Sequence, residues 1–233
     1  MYWEAVDRPN VMIKIPGTPE GVDAIERSIY DGINVNVTLL FAVEAYEHVA
    51  EAYLRGLERR QRDGLSLEIN SVASFFVSRV DTNVDKKLEQ LGRTDLQGTA
   101  ALANARAAYR RFKEIFSGPR WDALHHGGAA VQRPLWASTG TKNPDYSDTK
   151  YVDGLVGPHT VNTMPMATMQ AFGDHGHVSG PTAESDPTED LEALAKAGID
   201  MKQVTDELLA DGVEQFKTAM STLLAGIEKA APQ

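Results

Sequence analysis

The stretch that decides the fold is Ile33-Asn34-Val35-Asn36-Val37-Thr38-Leu39-Leu40-Phe41. From Val35 to Phe41 every second side chain is apolar, whereas Asn34, Asn36 and Thr38 place uncharged hydrogen-bonding groups on the opposite face. A strand in an open parallel sheet is covered on both faces and is therefore apolar on both. One apolar face and one amide-rich face instead favour a barrel strand, with helices outside and a polar ligand inside.

Strand-like and helical segments alternate on both sides of this stretch. The same reasoning predicts further strands over Val11–Ile15, Ile69–Val77, Pro134–Ser138 and Thr160–Thr163. Such alternation predicts parallel strands covered by helices, and hence an α/β protein. Helices are predicted over Val22–Ile29, Ala42–Arg62, Asp85–Leu91, Thr99–Phe116 and Tyr151–Val156, and from Pro165 and Glu189 onward, with an exposed loop over 173–187.

Composition narrows the class of protein. A chain of 233 residues is long enough for one sizeable core and short for two domains, so we expect a single domain over 1–233. Cys is absent, which excludes disulfides and thiolate chemistry. The formal net charge of −10 argues against a nucleic-acid binder. Neither a signal-peptide pattern nor a membrane-spanning apolar run is found, so we expect a cytoplasmic protein without a membrane partner.

Lys14 is the first candidate for chemistry, because it lies between apolar neighbours in a predicted strand. Burial lowers the pKa of an amine, and a neutral amine attacks carbonyl groups to form a Schiff base. The alternative is a lysine on an edge strand whose stem packs on the sheet, and the residues alone favour that alternative.

Polar residues at or near strand ends are the next candidates. Asn36 and Thr38 could bind sugar hydroxyls or orient a water, or else form an exposed face or an internal network. Ser74 lies in a predicted strand, and Arg79 follows its end, where a guanidinium suits phosphate. The alternative for Arg79 is an ion pair with Asp81 or Asp85.

The loop Ser138-Thr139-Gly140-Thr141-Lys142-Asn143-Pro144 follows the fourth predicted strand. Small hydroxyl residues, a glycine and a lysine are compatible with an anion-binding nest, although the spacing is not that of a P-loop. An ordinary polar loop is the alternative. The histidines at 125, 126, 175 and 177 lack the scaffold of a zinc site, so no metal is expected.

Five strings, in order along nearly the whole chain, resemble the transaldolase family. Ile13–Gly21, Gly32–Phe41 and Ala73–Asp81 resemble the family generally. Leu135–Pro144 and Val161–Pro165 resemble its bacterial branch, whose members are sometimes fused to glucose-6-phosphate isomerase.

The resemblance implies a class I aldolase-type TIM (β/α)8 barrel that needs no metal or other cofactor. It implies transfer of a dihydroxyacetone unit from sedoheptulose 7-phosphate or fructose 6-phosphate to glyceraldehyde 3-phosphate or erythrose 4-phosphate, in the non-oxidative pentose phosphate pathway. Lys14 is implied to form the Schiff base, and Thr38 to help place the catalytic water. The implied substrate-binding residues are Asn36 and Ser74 for the hydroxyls, and Arg79, Ser138 and Lys142 for the phosphate.

The resemblance also implies a partial barrel. The family's Schiff-base lysine lies on the fourth of eight strands, whereas Lys14 lies near the start of this sequence. We therefore expect strands 4 to 8 plus C-terminal helices, without the first three βα units, and with Met1–Asn10 as the tail of the preceding helix. Two alternatives to transaldolase remain: a related Schiff-base sugar-phosphate aldolase, or an inactive fragment that binds sugar phosphate. Besides its sugar phosphate substrates, the partner that we expect is either an N-terminal segment that supplies the first three βα units or a second copy of the chain in a homo-oligomer.

Overall fold

The computed structural model describes residues 2–230, and within them five strands form one sheet in the order β1-β2-β3-β4-β5. Every neighbouring pair is parallel. This sequential winding, with helices between the strands, is that of a TIM-barrel-type fold and confirms the predicted fold class. The strands are β1 Ile13–Pro16, β2 Val35–Leu40, β3 Ser71–Phe76, β4 Arg133–Ala137 and β5 Val161–Asn162.

Helices follow each strand. They are α1 Tyr2–Val6, α2 Gly21–Tyr30, α3 Val43–Arg62, α4 Ser78–Gln90, α5 Ala100–Ile115, α6 Gly118–His126, α7 Lys150–Asp153, α8 Met166–His175, α9 Thr188–Lys196 and α10 Met201–Ala230, with 3-10 turns at Thr94–Leu96 and Thr182–Glu184. None of the helices within residues 2–230 is long and apolar enough to cross a membrane.

The apolar face of β2 packs against the helices, as its alternation predicts. Val35 and Val37 are fully buried in one core with Phe75 of β3 and Trp136 of β4. Burying each such side chain contributes about 1.5–3 kcal/mol to folding. The main core therefore lies between the sheet and its helices.

The opposite, inner face of the sheet is polar on β2 and apolar on β3 and β4. Asn36 and Thr38 lie on β2, whereas Val72, Leu135 and Ala137 form a small separate apolar cluster on β3 and β4. The polar inner face predicted from β2 is therefore restricted to β1, β2 and part of β3.

The strict alternation predicted through Phe41 breaks at Leu39. Leu39 has φ 60°, and the pairing with β3 shifts between Val37 and Leu40. The bulge turns Leu40 toward Gly17, where an added Cβ would lie 2.5 Å from Leu40 Cδ2. It thus holds the ends of β1 and β2 close together beside Thr38.

Three helical predictions were wrong in their bounds, and one helix was not predicted. Helix α4 begins at Ser78 instead of Asp85, because Val80, Val84 and Leu88 bury one continuous helical stripe. Helix α6 was not predicted, and His125 and His126 are its last two residues. Helix α8 continues to His175, inside the predicted loop. The predicted Tyr151–Val156 helix is the single turn of α7.

Candidate active site

Three of the predicted site residues lie together on the inner face of β1, β2 and β3. Lys14 and Asn36 are Cα partners on neighbouring strands, so their side chains share this face. Ser74 Oγ donates a hydrogen bond to Asn36 Oδ1 at 2.7 Å. Ser74 is buried, Asn36 is half-buried and Lys14 is exposed. An amine, an amide and a hydroxyl therefore converge within one patch.

Lys14 is not desolvated, which corrects the argument made from its apolar neighbours. Its strand is at the edge of the described sheet, so its side chain is covered on one side only. Among residues 2–230, no carboxylate lies within salt-bridge distance of Nζ. The ammonium instead lies 5.6 Å from the ring centroid of Phe216 on α10. Helix α10 thus provides the nearest aromatic cover over Lys14.

Thr38 is fully buried, and its Oγ1 has no hydrogen-bond partner among residues 2–230. A buried hydroxyl without a partner costs about 1–3 kcal/mol. The bulge at Leu39 holds Thr38 in this position at the end of β2. Chemically, such a hydroxyl suits a water or a ligand hydroxyl better than a purely structural role.

Arg79 does not form the ion pair that was its alternative interpretation. Asp81 and Asp85 accept hydrogen bonds from Tyr151 and Tyr146. Arg79 is the second residue of α4, and its Cζ lies 5.6 Å from the ring centroid of Phe76. The guanidinium therefore stands at the carboxyl end of β3 with its charge uncompensated by either aspartate.

Arg79 and Lys142 line one cleft of about 580 Å³ between α4 and α10. Lys86, Lys87 and Asp211 line the same cleft, and Lys87 is paired with Glu207 at 2.8 Å, so the lining cations outnumber the one lining carboxylate within residues 2–230. A chain with net charge −10 thus presents a local cationic region at one end of its sheet. Such a region attracts anionic ligands.

Ser138 lies at the end of β4 in the left-handed region, with φ 56°. Its Oγ is 3.0 Å from Ser78 Oγ, and its carbonyl accepts the Ser78 N–H at 3.0 Å. Ser78 directly precedes Arg79, so Ser138 is tied to the start of α4. Strain in a non-glycine residue at a strand end is typical of functional sites.

Two residues at this site were missed from sequence. Phe76 points to the inner face beside the apolar cluster and contacts Arg79. Ser78 connects the ends of β3 and β4. The sequence feature that could have identified them is their position, because both lie at the carboxyl end of a predicted strand, where the active sites of barrels lie.

No group of three or more histidine, aspartate or glutamate side chains within residues 2–230 is arranged to hold a metal ion. The described side chains at this site supply an amine, hydroxyls, an amide and cations. These groups suit covalent capture of a carbonyl compound that carries hydroxyls and an anionic group.

Fold and site together define an α/β protein of the TIM-barrel type with a lysine among polar groups on its inner face. The chain belongs to the transaldolase/fructose-6-phosphate aldolase family, whose model matches residues 1–227.

Curated relatives agree with this family. The transaldolase of Saccharopolyspora erythraea is 51% identical over 238 residues, covering 99% of this chain and 64% of that protein. That of Acidothermus cellulolyticus is 52% identical, covering 97% of this chain and 63% of that protein. That of Mycolicibacterium smegmatis is 50% identical, covering 95% of this chain and 62% of that protein. The chain thus spans less than two thirds of the length of these relatives.

Proposed function

We propose that this chain carries transaldolase chemistry, transferring a dihydroxyacetone unit between sugar phosphates through a Schiff base on Lys14. The observation that carries the proposal is the juxtaposition of Lys14, Asn36 and Ser74 on three neighbouring strands. The names of relatives about half identical to the chain support the same reaction. The donors would be sedoheptulose 7-phosphate or fructose 6-phosphate, and the acceptors glyceraldehyde 3-phosphate or erythrose 4-phosphate.

The amine of Lys14 attacks the donor ketone and water leaves, which forms a protonated imine. The bond that breaks joins the carbon next to the imine carbon to the following, hydroxyl-bearing carbon, and its electron pair moves toward the protonated imine to give an enamine. The hydroxyl on the departing carbon passes its proton to the water held by Thr38, so that carbon becomes an aldehyde, and the acceptor's aldehyde oxygen takes up a proton when the enamine adds to it. The enamine left on Lys14 attacks the acceptor aldehyde, and water then hydrolyses the new imine to free the product and the amine.

Asn36 and Ser74 would hold the hydroxyls of the dihydroxyacetone unit. Ser74 Oγ donates its hydrogen bond to Asn36 Oδ1. The Ser74 oxygen can therefore accept a hydrogen bond from the substrate, and the Asn36 amide nitrogen can donate one. Thr38 would hold the catalytic water through its buried, unpartnered hydroxyl. A positioned proton-transfer partner of this kind is worth about 10²–10⁴ in rate.

Arg79 and Lys142 would bind the substrate phosphate, with Ser138 nearby. Their shared cleft supports this role because both cations face one volume. An arginine can bind a phosphate through two parallel hydrogen bonds. The setting would be the non-oxidative pentose phosphate pathway in the cytoplasm.

The five strands would correspond to strands 4 to 8 of the family's barrel, as one domain. β1 and β5 each have a free edge within residues 2–230, and the apolar cluster of Val72, Leu135 and Ala137 faces away from the helices. Free edges invite further strands. Those strands, from an N-terminal segment or a second copy, would complete the inner face. A fragment with three further βα units should raise activity; no gain would contradict complementation.

Borohydride trapping with fructose 6-phosphate tests the proposal. Borohydride reduces an imine to a stable amine, so peptide mass mapping locates the adduct. We expect it on Lys14, and we expect it to vanish in Lys14→Met. Lys202→Met is the matched control, because Lys202 is exposed and forms a surface ion pair with Asp206. An adduct on Lys142 alone, or none on folded protein, would contradict the proposal.

A related aldolase that releases free dihydroxyacetone is the second candidate. The family description, which joins transaldolase with fructose-6-phosphate aldolase, favours keeping it. Product formation with and without erythrose 4-phosphate separates the two. Cleavage that needs the acceptor supports transfer, whereas cleavage without it supports the aldolase.

A further inference from the structure

Two carboxylates on α4, the buried Asp81 and the half-buried Asp85, contact α7 and the segment that carries Lys142. Asp81 and Asp85 are four residues apart and therefore lie on one side of the helix. Asp81 is only 1% exposed. Neither carboxylate is used by the proposed reaction, so the hydrogen bonds that they accept need another explanation.

Asp81 joins three elements. Its Oδ1 accepts the backbone N–H of Ala101, at the start of α5, at 2.7 Å. Its Oδ2 accepts Tyr151 Oη at 2.8 Å and Lys150 Nζ at 3.2 Å, both from α7. Burial raises the pKa of Asp81, and the Lys150 ammonium opposes that rise. The cluster is therefore held by charge-assisted hydrogen bonds.

Asp85 holds the loop itself. Its Oδ2 accepts Tyr146 Oη at 2.7 Å, and its Oδ1 accepts the backbone N–H of Gly98 at 2.8 Å. Lys150 Nζ lies 3.7 Å from the ring centroid of Tyr146. Gly98 has φ 74°, and an added Cβ there would lie 2.5 Å from Lys150 Nζ. Tyr146 is thus enclosed by a helix, a cation and a closely approaching backbone.

The loop between β4 and α7 (residues 139–149) is held at its middle by this enclosure, and Thr139 Oγ1 also ties its start to Asn162 Oδ1 at 2.8 Å. Lys142 lies four residues before Tyr146 and is itself exposed. It lines a small pocket with Asp81, Asp85 and Tyr146, and it lines the larger cleft with Arg79. Arg79 is on the same helix as both carboxylates. One rigid helix therefore carries one cation and anchors the loop that carries the other.

We propose that Asp81 and Asp85 are positioning residues that hold the loop 139–149, through Tyr146, Lys150 and Tyr151, so that Lys142 and Arg79 bind one phosphate together. The inference rests on the proposed phosphate site. It adds residues that touch no substrate but determine the distance between its two cations. A merely stabilising role would lower the stability of the fold without a selective effect on phosphate.

The test compares Tyr146→Phe with Tyr109→Phe, using inorganic phosphate as the probe. Both tyrosines lose one hydroxyl, and Tyr109 Oη donates only to the carbonyl of Pro158, at 3.1 Å, away from the cleft. Calorimetric titration gives the phosphate Kd, and amide hydrogen exchange reports on the loop 139–149. We expect Tyr146→Phe to raise the Kd roughly threefold to tenfold, the ratio for one net hydrogen bond.

Faster exchange confined to the loop 139–149, together with weaker phosphate binding in Tyr146→Phe but not in Tyr109→Phe, would support the proposal. An unchanged Kd, equal effects in both variants, or no phosphate binding by the unsubstituted chain would overturn it. Failure of the proposed function is separate, because it appears as the absence of a Lys14 adduct while the effect of Tyr146→Phe on phosphate binding persists.

Discussion

Replacing Thr38 with valine is expected to stabilise the protein while impairing its chemistry. Thr38 is fully buried, and its hydroxyl has no hydrogen-bond partner among residues 2–230. Valine has nearly the same shape and equal preference for a strand, so the substitution mainly removes the unpaired hydroxyl. Removing such a group should raise the free energy of unfolding by about 1–3 kcal/mol. For a chain of this size the midpoint of thermal unfolding, Tm, would rise by roughly 2–4 °C for each kcal/mol of added stability.

Thr139 provides a matched control for this substitution. It is also fully buried, but its Oγ1 donates to Asn162 Oδ1 at 2.8 Å. Thr139→Val should therefore lower the free energy of unfolding by about 0.5–1.5 kcal/mol. Urea unfolding monitored by circular dichroism gives both values under the same conditions. Equal destabilisation in the two variants would refute the reasoning, because it would mean that the Thr38 hydroxyl is hydrogen-bonded in the resting protein as firmly as that of Thr139.

Turnover provides the second readout for Thr38→Val. If Thr38 holds the catalytic water, the turnover rate should fall by about 10²–10⁴ while the Lys14 adduct still forms. A stabilised variant with undiminished turnover would contradict the role proposed for Thr38. The combination of higher stability and lower activity is what a functional, strained or unpaired group produces.

Three further predictions concern burial and charge. Burial raises the pKa of Asp81 above its ordinary 3.8, so just above that pH the folded state binds more protons than the unfolded state. The free energy of unfolding of the unsubstituted protein, relative to that of Asp81→Asn, should therefore fall as pH rises through this window. Urea unfolding at several pH values measures this difference, and an opposite slope would contradict the prediction. Trp136→Ala should cost about 3–5 kcal/mol, measured by thermal unfolding, because Trp136 is 1% exposed and packs edge-on against Phe75; a loss under 1 kcal/mol would count against this packing. Arg79→Met should weaken phosphate binding by roughly tenfold or more in calorimetry, whereas Lys86→Met should have a smaller effect; equal losses would argue for a diffuse charge effect.

The architecture was predictable because its signals are local. The alternation in β2 depends on residues two apart. It correctly placed Val35 and Val37 on the face of the sheet that packs against the helices, and Asn36 on the inner face. The parallel pairing followed from helices separating the strands. These features are set by short-range periodicity and need no knowledge of distant contacts.

Features that depend on distant contacts were not predictable in this way. The bulge at Leu39 shifts the pairing of β2 with β3, a strand more than thirty residues further on, and alternation gives no sign of it. The environment of Lys14 depends on its edge strand and on Phe216, about two hundred residues away in sequence. The carboxylate pair of Asp81 and Asp85 looked like a partner for Arg79 because those residues are close in sequence. Its side-chain partners come from α7 and the loop before α7, and its backbone partners are the N–H groups of Gly98 and Ala101.

The catalytic role of Lys14 is the central claim, and borohydride trapping with fructose 6-phosphate tests it most directly. Imine formation needs only the lysine and a ketone within its reach, so the trap reports on Lys14 even where later proton transfers are slow. The account predicts one reduced adduct, mapped to Lys14, that is lost in Lys14→Met and retained in Lys202→Met. Folded protein that yields no adduct, or an adduct on a different lysine, would contradict it.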